Sequence, residues 1–194
     1  MKNLFLLCLS LIYCQLGVAQ NDYYPLVPGT TFEMEFGEVY AQMGSSHGRM
    51  AITEQTKTID NKSYTIIESL YGDGTNFSSA MTLYVRTDAE GNIWMASSID
   101  EKESLAFPTA NKLTKGYRWT TTTAGIATEN LVVDTNGTFK CPNGKTFNNC
   151  LIVEQIQDGI PIVRSYAQKN VGPVATCVIE DGQEIIMQYL TNKF

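Results

Sequence analysis

Apolar and polar residues alternate with a period of two through most of this chain, and turn signals cut the alternation roughly every eight to twelve residues. Within Thr31 to Tyr40, Phe32, Met34 and Phe36 alternate with Glu33 and Glu35. Met50 and Ile52, then Tyr64, Ile66, Ile67 and Leu70, then Met81, Leu83 and Val85 carry the pattern on. The turn signals are Pro28-Gly29, Gly44-Ser45, Asp60-Asn61, Gly72-Asp73-Gly74, Gly91-Asn92, Asn136-Gly137, Asn143-Gly144, Asp158-Gly159 and Asp181-Gly182. Gly116 to Val133 holds the β-favouring run Thr120 to Thr123 and reads as a strand pair. Leu151–Ile156, Pro161–Gln168, Val174–Ile179 and Glu184–Leu190 then alternate with tight turns to the end. The strongest helical stretch, Ser104 to Leu113, is interrupted by Pro108. The pattern predicts about ten strands in a single antiparallel meander, an all-β domain forming an open or half barrel.

The first residues break this rhythm. Met1-Lys2-Asn3 is basic, Leu4 to Tyr13 is apolar, and Gly17-Val18-Ala19 supplies the small residues a signal peptidase reads. Residues 1–19 therefore read as a secretory signal peptide and 20–194 as the mature domain. A second reading makes Leu11-Ile12-Tyr13-Cys14 a lipobox with an acylated Cys14, against which the bulky Tyr13 argues. Either way the protein is expected to be exported, periplasmic or extracellular. No later apolar run approaches the ~20 residues of a membrane-spanning helix, so no integral span is expected. Loss of Lys2 from the 14 basic residues leaves 13 against 20 acidic ones, a net charge of −7. The acidic residues are scattered and no basic patch forms, which argues against nucleic acid as a partner.

Export bears on the cysteines. Cys141, Cys150 and Cys177 fall in the mature domain, and Cys141 and Cys150 flank the turn region Pro142 to Asn149. They form the candidate disulfide, which needs a Cα separation of about 5.5 Å that a cross-strand pair can meet; the competing reading is three buried thiols used as small hydrophobes. Without Cys-x-x-Cys spacing or a nearby histidine they do not suggest a metal site. The chain has one histidine, His47, in Gly44-Ser45-Ser46-His47-Gly48. No Gly-x-Ser-x-Gly elbow accompanies it, and a glycine-bounded loop holds a triad poorly. Glu33 and Glu35 share a strand face as an ordinary wet face does, and Asp73 and Asp88 fit turn chemistry better than calcium loops. The sequons at Asn61, Asn76 and Asn136 are likewise read as turns. No catalytic residue, metal or cofactor is assigned.

Aromatic residues recur beside nearly every strand, as core or as the wall of a cavity. Phe36, Tyr84, Trp94 and Trp119 are the candidate ligand-lining residues. Several ordered phrases carry a resemblance: Tyr23-Tyr24-Pro25-Leu26 with Gly29 and Phe32, Asp60-Asn61-Lys62-Ser63-Tyr64, Tyr84-Val85-Arg86-Thr87-Asp88 through Gly91-Asn92-Ile93, Phe107-Pro108, Gly116-Tyr117-Arg118-Trp119, Asn143 to Leu151, and Tyr166-Ala167 with Val171-Gly172. Together they resemble a family of exported bacterial β-barrel domains labelled TapB-like. Asn61 in place of a turn glycine and Asn170 before Val171 depart from its pattern. The resemblance implies a barrel of lipocalin-like or lipoprotein-carrier-like shape and no catalytic residues. The expectation is a non-enzymatic binding module for an apolar, lipid-like or amphipathic small molecule on the concave face of the sheet. The alternative is a structural protein docking to a cell-envelope partner; an enzyme would need His47 or a carboxylate pair at a pocket mouth.

Overall fold

A computed structural model describes residues 21–194 except 39–41, 43 and 124, together with the side chain of Thr123. The signal peptide, the Cys14 lipobox and Tyr40 lie outside the described residues. Twelve antiparallel strands follow one another: β1 (Thr31–Phe36), β2 (His47–Ile59), β3 (Lys62–Gly72), β4 (Phe77–Thr87), β5 (Ile93–Ala96), β6 (Ser104–Phe107), β7 (Arg118–Thr123), β8 (Ile126–Lys140), β9 (Thr146–Gln157), β10 (Ile160–Gln168), β11 (Gly172–Glu180) and β12 (Gln183–Lys193). The Ser104 to Leu113 stretch divides at Pro108 into β6 and a 3-10 turn, Ala110–Lys112.

Each strand pairs with its sequence neighbours, except at two places. β1 pairs with β12, which closes the meander, and β6 and β7 share no ladder, which leaves one seam. Side chains staple that seam: Thr121 Oγ1 donates to the Leu105 carbonyl at 2.9 Å and Trp119 Nε1 to the Ala106 carbonyl at 3.2 Å. The tight hairpins use residues that tolerate a left-handed backbone: Asp60-Asn61 at φ 48° and 60°, Asp158-Gly159 at 52° and 80°, Asp181-Gly182 at 50° and 77°. Paired positive φ values match the right-handed twist of the flanking strands. Asn136-Gly137 is not a turn; it lies within β8, where the ladder to β9 shifts register. A Cβ on Gly137 would stand 2.3 Å from Ile152 Cδ1, so this glycine serves a close approach between strands.

One end of the barrel is plugged. Tyr24 packs on Phe107 with ring centroids 4.0 Å apart, while Asn21, buried, donates from Nδ2 to the Pro108 carbonyl. The phrases that open and close the resemblance meet here: Gly172, at φ 108°, leaves room for the Phe32 ring and Pro25, and a Cβ would be 2.8 Å from Phe32 Cε1. Buried Tyr23, Leu113, Trp119, Val132, Leu151, Val153 and Ala167 form a cluster beside the plug.

The three cysteines are buried free thiols, so the expected Cys141–Cys150 bridge is not formed. The register explains why. Cys141 bonds through its backbone to Lys145, whereas Cys150 stands opposite Gly137, so the two are not a cross-strand pair. They pack with Phe139, Phe147, Tyr166, Cys177 and Tyr189. Burial raises the Cys150 thiol pKa to about 11 and that of Cys177 to about 12, and raises that of Cys141. A thiol-reactive disulfide reagent at pH 8 is therefore expected to label none of the three in the folded mature domain and all three in denaturant. Rapid labelling of folded protein would contradict this packing.

Candidate binding cavity

Strands with an apolar inner face leave a hollow wherever their side chains do not meet across the barrel. Here Met34, Met50, Ile52, Ile67, Leu83, Val85, Ile93 and Met95 from β1 to β5 wall a cavity of about 340 Å³. That volume falls within the usual span of ligand sites. Its floor is the plug, with Tyr24, Leu26, Phe32, Phe107 and Pro173. Burial pushes the Tyr24 phenol well above its ordinary pKa. The facing wall differs: β7, β8, β9, β11 and β12 contribute Thr121, Asn130, Gln155, Thr176 and Gln188. Among the described residues, no Asp, Glu, His, Lys, Arg or Cys lines the cavity. A larger depression of about 480 Å³, bordered by Tyr23, Asn136, Asn149 and Lys169, is a polar surface groove without an apolar wall.

The register places Asn130 opposite Gln155 and Thr176 opposite Gln188. Asn130 is 4% exposed, and its Nδ2 donates to Thr121 Oγ1 at 2.9 Å and, at 3.4 Å, to the carbonyls of Trp119 and Thr128. Those three acceptors orient the carboxamide. Gln155, Thr176 and Gln188 make no side-chain hydrogen bond among the described residues.

The four aromatic residues expected to line the site are dispersed. Phe36 lies two residues beyond Met34 on the same face, its ring edge-on to Tyr71 at 5.3 Å and close over Gly48. Tyr71 is 45% exposed there. Trp119 belongs to the cluster beside the plug and staples the seam. Tyr84 and Trp94 alternate with the lining residues Val85 and Met95, so they occupy the opposite, outer face. None of the four is among the residues lining the cavity. The polar wall was not singled out from the sequence, where its members are isolated polar positions on separate strands.

On the outer face, Trp94 donates from Nε1 to Asp88 Oδ2 at 2.7 Å, and the Arg86 guanidinium lies 5.6 Å from its ring centroid and 5.8 Å from that of Tyr64. Arg86 Nε and Nη2 each reach a Glu103 oxygen at 2.7 Å; Tyr64 and Lys62 also donate to that carboxylate. Two phrases of the resemblance thus meet at one carboxylate. Asp88 accepts from the backbone of Glu90 and Asn92, and Asp73 from that of Thr75 and Asn76, as turn caps do. His47 opens β2 and its Nδ1 lies 2.8 Å from Ser46 Oγ. Among the described residues no three His, Cys, Asp or Glu side chains gather as a metal-binding group. No described helix is long and apolar enough to cross a membrane.

The molecule is thus a twelve-stranded meander barrel with one seam, a plugged end and a largely apolar interior cavity. Its fold is shared with a candidate exported protein of YmcC-like fold from Bacteroides fragilis, whose crystal structure superposes with a TM-score of 0.56 at 12% identity, over 90% of this chain and 99% of that one. No protein-family profile matches the sequence. No curated protein matches it either.

Proposed function

We propose that this protein is an exported, non-enzymatic binding module that holds an apolar or amphipathic small molecule inside the barrel. The observation that carries this reading is the 340 Å³ cavity with its continuous apolar wall. Affinity would come from burying ligand surface there, at about 25 cal/mol per Å² of apolar area. The described lining residues are apolar or neutral and polar, a composition suited to binding by buried surface. The export reading is supported by the basic and apolar amino terminus and by the description of the Bacteroides fragilis protein.

The test is a fluorescence titration with 1-aminoanthracene, an uncharged apolar dye. Saturable binding is expected, with emission shifted to the blue. Leu83→Trp, which places an indole in the cavity, is expected to weaken it at least tenfold while leaving the far-UV spectrum unchanged. Absence of saturable binding, or equal affinity in the folded variant, would overturn the reading and favour the docking alternative.

A further inference from the structure

The cavity has two unlike halves, and the difference points to the class of ligand. We propose, resting on the binding reading above, that the site selects an uncharged amphiphile: an apolar chain or skeleton carrying a neutral hydrogen-bonding group such as a hydroxyl, amide or ester. The apolar wall spans β1 to β5, while Asn130, Gln155, Thr176 and Gln188 cluster on the far side. Carboxamides and hydroxyls that face a cavity without protein partners keep hydrogen-bonding capacity that a ligand's polar group can take up in place of water. Gln155, Thr176 and Gln188 are in that condition, and Asn130, its NH2 group committed to Thr121 and two carbonyls, retains an acceptor oxygen with no partner among the described residues. Each glutamine offers both donors and an acceptor, which suits a neutral polar group of either sense.

Charge is what this wall does not accommodate. Among the described residues, no cation lines the cavity to meet a carboxylate or phosphate, and no anion to meet an amine. An ionised head held there would lose its hydration without a countercharge. A cavity of about 340 Å³ is at the small end of ligand sites and suits a single small amphiphile.

Calorimetric titration at pH 8 with 1-decanol, decanamide, decanoate and decyltrimethylammonium, chains of one length with different heads, tests this directly. The neutral pair is expected to bind at least tenfold tighter than either ion. Gln155→Leu and Gln188→Leu, each verified as folded by circular dichroism, are expected to weaken decanamide at least fivefold, and full decanamide affinity in both folded variants would overturn the proposal. Equal or tighter binding of decanoate or the ammonium by the unaltered protein would overturn the proposal without reference to any variant. Dye binding with no preference among heads would overturn it and leave the binding reading intact. Failure of the dye and of all four amphiphiles would overturn both.

Discussion

Glu103→Gln is expected to destabilise the protein by about 3 kcal/mol at neutral pH. The carboxylate is the hub of the outer-face cluster: its side chain is 13% exposed, and it receives both Arg86 donors at 2.7 Å as well as Tyr64 and Lys62. The amide would leave the Arg86 guanidinium, itself 16% exposed, without its countercharge between Tyr64 and Trp94. Lys62, nearly half exposed, contributes little to the loss. The Arg86 hydrogen bonds, more than any other contact, hold the Glu103 pKa at about 2 against an ordinary 4.5. Because the folded value is depressed, this stability is present above the unfolded value near 4.5 and lost as pH falls through about 2. Urea denaturation across that window checks both claims. The gap between the unaltered protein and Glu103→Gln is expected to be widest above pH 4.5 and to close towards pH 2. A gap that stays constant with pH would refute the assignment.

Gly37→Ala is expected to cost a similar amount, about 3 kcal/mol, by prying at the strand pair that closes the barrel. Gly37 donates its N–H to the Met187 carbonyl, and Met187 is the extra residue at which β12 shifts register against β11. A Cβ on Gly37 would stand 1.9 Å from the Ile186 carbonyl oxygen and 2.9 Å from its carbon. Backbone atoms cannot rotate aside, so β1 and β12 would have to separate. For a chain of this size the loss corresponds to a fall in Tm of about 6–12 °C. Gly144→Ala supplies the contrast. Gly144 has a left-handed φ of 87° but nothing within 4 Å of its Cβ position, so only the backbone preference is lost, about 1 kcal/mol. Equal shifts for the two variants would show that the contact with Ile186 does not limit stability.

Elements set by local chemistry were legible before the fold was known. Asp60-Asn61, Asp158-Gly159 and Asp181-Gly182 are hairpin turns because Asp, Asn and Gly accept positive φ wherever they occur. The period-two runs became strands for an equally local reason, and Pro108 ended β6. Asn136-Gly137 carries the same turn letters yet sits within a strand, because the demand on Gly137 comes from Ile152 across the ladder. The candidate site was harder to read. Tyr84, Val85, Arg86 and Trp94, Met95 give both faces of β4 and β5 large side chains, so alternation alone does not say which face turns inward. The cysteines illustrate a related limit: their spacing suited a bridge, but the offsets along β8 and β9 changed which residues oppose each other.

Sequence alone determined that this protein is an all-β meander and where most of its turns fall, since each depends on a few neighbouring residues. Only the tertiary structure decided that β1 meets β12, that one seam remains, and that the interior is hollow with one polar wall. Asn130, Gln155, Thr176 and Gln188 acquire a common role only when the sheet curls round on itself. Whether a barrel is filled depends on the volumes of inward side chains from all its strands together, a sum that no local run of residues contains.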